Sequence, residues 1–282
     1  MTFPIVTFPK THELDREGFE PDLVLSGSET DGKDSDGPGQ LLIECDGTTD
    51  LIKFYGAQYH DTDEPPLIFL SGDVVERTKS GFRVHPGYHQ NSPASIQIEA
   101  EEFSKTFNRT FVQLARPGIY GSTGNHMHRR RPHEVNLVDA AISKLVDTFE
   151  WEEIDVAGLS GGGHLAACLA ARRNDIRRLT IGSGNVAVRD RLDILGLTSD
   201  VTGFDDFVDP ICFVEQIADS NVQLITMITD PRDALAPAHL QIKFANLLRG
   251  AGARVDHQFV DSADPNHHVL YEETVIAASR YR

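Results

Sequence analysis

The fold of this chain is indicated above all by the stretch Ile154-Asp155-Val156-Ala157-Gly158-Leu159-Ser160-Gly161-Gly162-Gly163-His164-Leu165. It reads as a short apolar strand, a serine set among glycines, and the start of a helix rich in alanine and leucine. A serine in such a sharp turn has a strained backbone, and the residues two before and two after it must be small so that strand and helix can approach closely. Gly158 and Gly162 occupy these positions. The turn lifts the Ser160 hydroxyl clear of the sheet, where the N-terminus of the helix favours developing negative charge.

Two other interpretations of this stretch are a turn that merely joins a strand to a helix and a phosphate-binding loop. A phosphate-binding loop has Lys-Ser or Lys-Thr after its last glycine, whereas His164-Leu165 follows here. The spacing Gly158-x-Ser160-x-Gly162 resembles the nucleophile elbow of the α/β-hydrolase superfamily. The resemblance implies an α/β-hydrolase fold in which Ser160 is the catalytic nucleophile.

Length, charge and cysteine content limit the class of protein. A chain of 282 residues suits one α/β domain, and we predict a single domain over 1–282 with a small cap over 185–220. The net charge of −17 disfavours nucleic acids and anionic membranes as partners. We therefore expect the partner to be a small-molecule substrate. Met1–Val6 lacks the basic start of a secretion signal, and the three cysteines are odd in number and scattered, so we expect a cytoplasmic protein without disulfides.

Predicted strands and helices alternate from about residue 66 onward, which indicates a mostly parallel sheet with helices on both faces. An antiparallel prelude precedes it, with β-prone runs at 21–26, 41–44 and 51–57. The later strands are predicted at 66–70, 110–115, 154–159, 178–184, 222–229 and 255–260, and the helices from Ser92-Pro93 onward and at 134–149, 165–171, 238–249 and 271–281.

The superfamily places its catalytic acid after a strand beyond the elbow, since its chain order is serine, acid, histidine. Asp233 stands four residues before Pro237 and resembles the family's Asp-x-x-Val-Pro pattern, although Ala236 replaces the valine. Asp230 is the alternative acid, and its other interpretation is a turn-forming residue before a proline.

The catalytic base is expected after the final strand, where two adjacent histidines stand on one loop. His268 is followed by Val-Leu and resembles the His-Val-Leu runs of several bacterial esterases and monoacylglycerol lipases. His267 is the alternative if Asn266 stands where many relatives have glycine. We favour His268 and keep both open.

The oxyanion formed by attack of a serine needs two preorganised backbone N–H donors. One is the amide of Gly161, directly after the nucleophile. The other is expected in the loop after the strand at 66–70, where we predict the amide of Asp73, with that of Gly72 as the alternative.

Further residues resemble particular branches of the superfamily. Gly-x-Ser-x-Gly-Gly is frequent in prolyl-oligopeptidase-like and dienelactone-hydrolase-like members, and the loop beginning Arg116-Pro117-Gly118 looks like that of small bacterial members. The resemblance covers roughly 66–282, without the propeller of large prolyl oligopeptidases. It implies a serine hydrolase that cleaves a small carboxylic ester through an acyl-enzyme. A peptidase acting on short peptides and a non-catalytic ligand-binding member are the alternatives.

Two clusters of basic residues remain. The run Arg129-Arg130-Arg131 could hold a substrate anion, or could form a solvated loop with ion pairs to Glu134 or Asp139. His85 and His89 have the spacing of a helical metal-ligand pair, but Pro86-Gly87 between them breaks such a helix. We therefore predict no metal and no cofactor.

Overall fold

The computed structural model describes residues 5–31 and 33–280. Its contacts divide the chain into two compact units, one made of Met1–Pro66 and Asp73–Trp151 and the other of Leu67–Gly72 and Glu152–Arg282. The single domain over 1–282 stays a prediction. None of the described helices combines the length and the apolar character needed to cross a bilayer.

The described helices and strands follow in this order: α1 (Pro21–Ser26), β1 (Gln40–Cys45), β2 (Thr48–Ala57), β3 (Leu67–Leu70), β4 (Val75–Thr78), β5 (Gly81–Val84), α2 (Pro93–Phe107), β6 (Phe111–Leu114), α3 (Pro132–Phe149), β7 (Ile154–Leu159), α4 (Gly161–Ala170), β8 (Ile176–Gly182), α5 (Val188–Leu195), α6 (Val214–Ala218), β9 (Leu224–Thr229), α7 (Ala238–Gly250), β10 (Val255–Phe259) and α8 (Tyr271–Ser279). Single 3-10 turns lie at Thr11–Glu13, Tyr88–Gln90, His126–His128 and Pro210–Phe213.

The first unit is built on antiparallel strands. β1 and β2 form a hairpin, β2 pairs with β6, and β4 and β5 form a second hairpin. Helix α2 begins where the sequence predicts, because the Ser92 and Ser95 hydroxyls accept hydrogen bonds from each other's backbone N–H and Pro93 supplies a helical φ.

A cluster of buried charges holds the loops of the first unit. The Asp73 carboxylate accepts hydrogen bonds from Arg116 at 2.8 Å, Arg129 at 3.0 Å and Arg130 at 2.5 Å. Arg116 also donates to the buried Glu134 at 2.8 Å. The prediction of a solvated basic loop is therefore wrong for Arg129 and Arg130, whose exposed fractions are only 2% and 1%, because internal carboxylates supply their countercharge.

The second unit contains five parallel strands in the order β3-β7-β8-β9-β10. A Cβ on Gly163 of α4 would lie 3.0 Å from the Ile181 side chain, whereas a Cβ on Gly182 would lie 1.9 Å from the Thr274 hydroxyl of α8. Successive residues of a strand point to opposite faces, so α4 and α8 cover opposite faces of these strands. The predicted arrangement of parallel strands with helices on both faces is thus present in this unit.

Some elements differ from the sequence predictions. The run 21–26 forms α1 rather than a strand, because Pro21 suits a first helical turn and only Val24 is buried, in a cluster with Val75, Tyr88 and Ile119. The hairpin of β4 and β5 was not predicted, and α4 begins at Gly161 rather than at 165.

Residues 185–220 contain α5 and α6, and their role as a cap stays a prediction. Of the predicted helix 271–281, residue 281 lies outside the described residues.

Two glycines of the elbow are required by contact between backbones. A Cβ on Gly162 would lie 2.0 Å from the Leu70 carbonyl oxygen, and one on Gly158 would lie 2.2 Å from the Gly162 carbonyl oxygen. Backbone atoms cannot move aside as the end of a side chain can, so β3, β7 and α4 meet here only if both positions are glycine.

We expect Gly162→Ala to lower the free energy of unfolding by about 3 kcal/mol, since the added methyl must push strand and helix apart. Gly250→Ala is the matched control, because nothing lies within 4 Å of its Cβ position and alanine is the better helix former. Urea unfolding followed by circular dichroism measures both variants. Equal stability of the two variants would contradict the backbone contact.

The ion pairs of Asp73 should make the free energy of unfolding depend on pH. Burial raises the pKa of the Asp73 carboxyl, but three guanidinium groups outweigh burial and hold that pKa well below its usual value. A carboxyl of this kind stabilises the fold above its unfolded pKa of about 3.9, and the contribution is lost as the pH falls toward the folded-state value.

We therefore expect Asp73→Asn to cost about 3 kcal/mol of unfolding free energy at pH 7, because it leaves buried cations with too little countercharge. The cost should shrink in unfolding curves recorded below about pH 4, where the Asp73 carboxyl of the unfolded wild type binds a proton that the folded protein still excludes. Glu102→Gln, an exposed change in α2, is the control and should have little effect. A cost that stays constant down to low pH would show that the charge of Asp73 is not its cause.

Candidate active site

Ser160 lies at the junction of β7 and α4, in the conformation expected of an elbow. Its φ of 55° and ψ of −113° lie outside the helical and strand regions, and a residue with a Cβ adopts such angles only when its surroundings enforce them. The Ser160 N–H donates to the Gly182 carbonyl of β8 at 2.8 Å, and its carbonyl accepts from the His164 N–H within α4. The strained residue is thus fixed on both sides.

Three of the side chains singled out in the sequence meet in the second unit. The Nε2 atom of His268 lies 2.8 Å from Ser160 Oγ, and its Nδ1 lies 2.9 Å from Oδ2 of Asp233. In a neutral imidazole one nitrogen donates and the other accepts, so the arrangement suits a ring that donates from Nδ1 to the carboxylate and accepts at Nε2 from the hydroxyl. His268 and Asp233 are both buried.

Asp233 is held by backbone amides of its own loop, which follows β9. The N–H groups of Leu235 and Ala236 each donate to Oδ1 at 2.8 Å. These two bonds fix the carboxylate before any partner binds, and they compensate for its burial. The Asp233 carboxylate therefore faces His268 in a defined orientation.

A second carboxylate, which the sequence analysis did not single out, holds the backbone of the histidine loop. Oδ2 of Asp264 accepts from the N–H of His268 at 2.6 Å, from that of Val269 at 2.7 Å and from the Ser262 hydroxyl at 2.8 Å. Burial raises the pKa of the Asp264 carboxyl, but these donors outweigh burial and lower it to about 2. The signal that could have found this residue is an aspartate before a proline, a common initiator of turns stabilised by side chain to backbone hydrogen bonds.

The two alternatives from the sequence pair with each other. Nδ1 of His267 lies 3.4 Å from Oδ2 of Asp230, and His267 has a left-handed φ of 55°. The hydrogen bonds that Asp230 accepts come from the backbone N–H groups of Arg232 and Ser262 and from the Arg232 side chain, and the last of these lowers its pKa. The ring that reaches Ser160 is that of His268, and Asp230 and His267 join two loops instead.

The three backbone amides predicted to bind an oxyanion, those of Gly161, Gly72 and Asp73, differ in their position relative to Ser160. Gly161 is the first residue of α4, where backbone N–H groups lack partners within the helix. A Cβ on Gly72 would lie 3.4 Å from Cβ of Ser160, so this backbone lies beside the serine. Asp73 follows Gly72 in the chain and belongs to the first unit, where its carboxylate is part of the ion cluster. The use of these amides stays a prediction.

The segment between β8 and β9 is attached to the elbow helix. Nε2 of the buried His164 lies 2.7 Å from the carbonyl oxygen of Val208. The next residue, Asp209, accepts hydrogen bonds at 2.9 Å from the N–H groups of Val188 and Arg189, at the start of α5. The His164 ring therefore links α4 to this segment.

Comparison with known proteins gives a clear result for the fold. No protein-family model matches the sequence, and no curated protein matches it. Among solved structures, the esterase Pf2001 of Pyrococcus furiosus is similar with a TM-score of 0.58 and 15% identity over 98% of this chain and 97% of that chain. Est1E of Butyrivibrio proteoclasticus with bound ferulic acid has a TM-score of 0.58 and 15% identity over 85% and 96% of the two chains.

A third similar structure is the acylaminoacyl peptidase of Pyrococcus horikoshii, with a TM-score of 0.58 and 12% identity. The match covers 81% of this chain but only 38% of the peptidase, so the chain spans well under half of that protein's length. Together with the sheet order and the elbow, these similarities identify the architecture: the chain has the α/β-hydrolase fold.

Proposed function

We propose that this protein is a serine hydrolase that cleaves a small carboxylic ester through an acyl-enzyme intermediate. The observation that supports this most strongly is the continuous chain of hydrogen bonds from Ser160 through His268 to Asp233. Such a chain is the arrangement that turns a weakly nucleophilic hydroxyl into a reactive one.

In the first step Ser160 Oγ attacks the ester carbonyl carbon while its proton passes to Nε2 of His268. The imidazolium that forms is stabilised by the Asp233 carboxylate, which stays ionised and holds the ring in the required tautomer. The negative charge on the carbonyl oxygen is stabilised by the Gly161 amide and by a second amide, from Asp73 or its neighbour Gly72. The alcohol then leaves with the proton held by His268.

The second step repeats this chemistry with water. His268, again neutral, removes a proton from a water molecule that attacks the acyl-serine carbonyl. Collapse of the second tetrahedral intermediate releases the carboxylic acid and returns the proton to Ser160. Asp264 accepts hydrogen bonds from the backbone N–H groups of His268 and of the next residue, Val269. We therefore assign Asp264 the role of a residue that positions the base.

A peptidase acting on short peptides is the second candidate, since the same residues would serve and one similar structure is a peptidase. An ester substrate is favoured because two similar structures matched over nearly their full length are esterases, with 97% of Pf2001 and 96% of Est1E covered. A member that binds a small ligand without turning it over is the third candidate, and the hydrogen-bonded serine argues against it.

Labelling with a fluorophosphonate tests the nucleophile and its base. We expect one adduct, located on Ser160 by peptide mapping and lost in Ser160→Ala. His268→Ala should lower the labelling rate by a factor of about 1,000 or more, because no group then accepts the proton. His267→Ala is the matched control and should stay within a few-fold of the wild type. A larger loss in His267→Ala than in His268→Ala would reverse the assignment.

Turnover of matched substrates distinguishes the candidate functions. We expect p-nitrophenyl esters from acetate to hexanoate to give higher kcat/KM than nitroanilides of acylated amino acids, and Ser160→Ala to abolish both activities. Faster cleavage of the anilides would make the protein a peptidase. Turnover of neither class by a protein whose Ser160 is labelled would favour the ligand-binding alternative.

A further inference from the structure

Three side chains of metal-binding type meet in the first unit, where the turn between β1 and β2 lies against the start of α3. Cys45 ends β1, Asp46 is the first residue of the turn, and His133 is the second residue of α3. One ligand atom from each, a thiol sulfur, a carboxylate oxygen and a ring nitrogen, lie within 4.8 Å of one another. Zinc binds such atoms at 2.0 to 2.3 Å, so a movement of about 1 Å brings all three onto one ion.

In contrast to the sequence analysis, which predicts no metal, we propose that Cys45, Asp46 and His133 bind a divalent transition-metal ion of the Zn²⁺ type, with water in the remaining position. Sulfur, nitrogen and oxygen ligands together suit Zn²⁺ and exclude Mg²⁺ and Ca²⁺, which prefer oxygen alone. Binding displaces the thiol proton of Cys45 into solvent, so a thiolate, a carboxylate and a neutral imidazole hold the ion.

The ligands have the second layer of hydrogen bonds that metal sites use to orient them. Oδ2 of Asp46 accepts from Nδ2 of Asn136 at 3.0 Å. Nδ1 of His133 faces the Asp46 carboxylate, and its Nε2 lies 3.4 Å from the Thr48 hydroxyl and 3.9 Å from the Asp50 carboxylate. A histidine that binds a metal through one nitrogen commonly donates from the other to such an acceptor, which fixes its tautomer.

The backbone under the ligands is fixed as well. Cys45 pairs with Thr48 across the hairpin, and the two turn residues between them, Asp46 and Gly47, have φ values of 50° and 81°. Positive φ at both central residues is the mark of a tight two-residue hairpin turn. On the other side, Lys144 of α3 donates to the Leu42 carbonyl of β1 at 2.9 Å. The turn and the helix are thus held together before an ion arrives.

The three ligand side chains are accessible to an ion from solvent, and neighbouring carboxylates favour the binding of a cation. The side chains of His133 and Asp46 are 39% and 47% exposed, so an ion reaches them from solvent and a water can complete its coordination. Asp50 adds a second carboxylate next to the group. The competing interpretation is a hydrogen-bonded clasp, in which Asp46 accepts from His133 and Asn136 and no ion takes part.

Titration of the metal-free full-length protein with Co²⁺ and Zn²⁺ separates these two interpretations. We expect one ion per chain and a sulfur-to-cobalt charge-transfer band, which only a thiolate ligand produces. In competition with a chromogenic chelator, Cys45→Ser and His133→Ala should each weaken Zn²⁺ binding at least about tenfold, and Asn136→Ala should weaken it by about tenfold through loss of the second layer. Cys212→Ser changes an exposed cysteine outside the group and is the matched control, which should bind as the wild type does.

The clasp predicts a different set of results. Absence of binding at one ion per chain, absence of the charge-transfer band, or equal affinity in Cys45→Ser and the wild type would overturn the metal site. Circular dichroism of each variant in chelator checks that the fold is intact, and Zn²⁺ at a fixed concentration should raise the thermal midpoint of the wild type more than that of Cys45→Ser. The test needs no activity, so its outcome is independent of the proposed hydrolase.

Discussion

The candidate site depends on one steric constraint, the contact of three backbones at the elbow. β3, β7 and α4 approach so closely at Gly158 and Gly162 that no side chain fits between them. Because the strand and the helix lie so close together, the chain must turn from β7 into α4 at a single residue. That residue is Ser160, which has a strained backbone conformation. The strain has a use, because it holds the hydroxyl at the end of a buried strand, where a ring from another loop can reach it.

Two carboxylates, those of Asp233 and Asp264, hold the His268 ring in place. Asp233 contacts the imidazole itself and sets the direction of its Nδ1, whereas Asp264 binds the backbone N–H groups of His268 and its neighbour. Loops are ordinarily the least ordered part of a fold, and the proposed mechanism tolerates little misplacement of the imidazole. Hydrogen bonds from fixed amides to charged acceptors provide this rigidity.

Much of this organisation could be predicted from the sequence, because the relevant signals are local. The elbow glycines, the apolar strand at 67–70 and the serine cap of α2 each depend on residues a few positions apart. The burial of Arg129 and Arg130 could not be predicted, because it depends on Asp73, more than fifty residues away in the chain. The same holds for Cys45 and His133, which the fold alone brings together.

The pairing of the two histidines with the two aspartates was open for a related reason. Either histidine follows the last strand and either aspartate follows the one before it, so chain order cannot choose between the two pairs. The choice is made by loop conformation: His267 turns toward Asp230 through a left-handed backbone angle, and His268 turns toward Asp233. Adjacent residues of one loop thereby serve different partners.

The buried ion cluster limits how this sequence can vary among related chains. Removing one member leaves a largely buried charge without compensation, whereas removing an acid together with a base keeps the balance. We therefore expect single exchanges at these positions to be rarer among homologues than paired exchanges. In homologues, Asp73 and its arginines should be inherited or lost as a group, and their covariation would trace this loop through lineages in which the rest of the sequence has diverged.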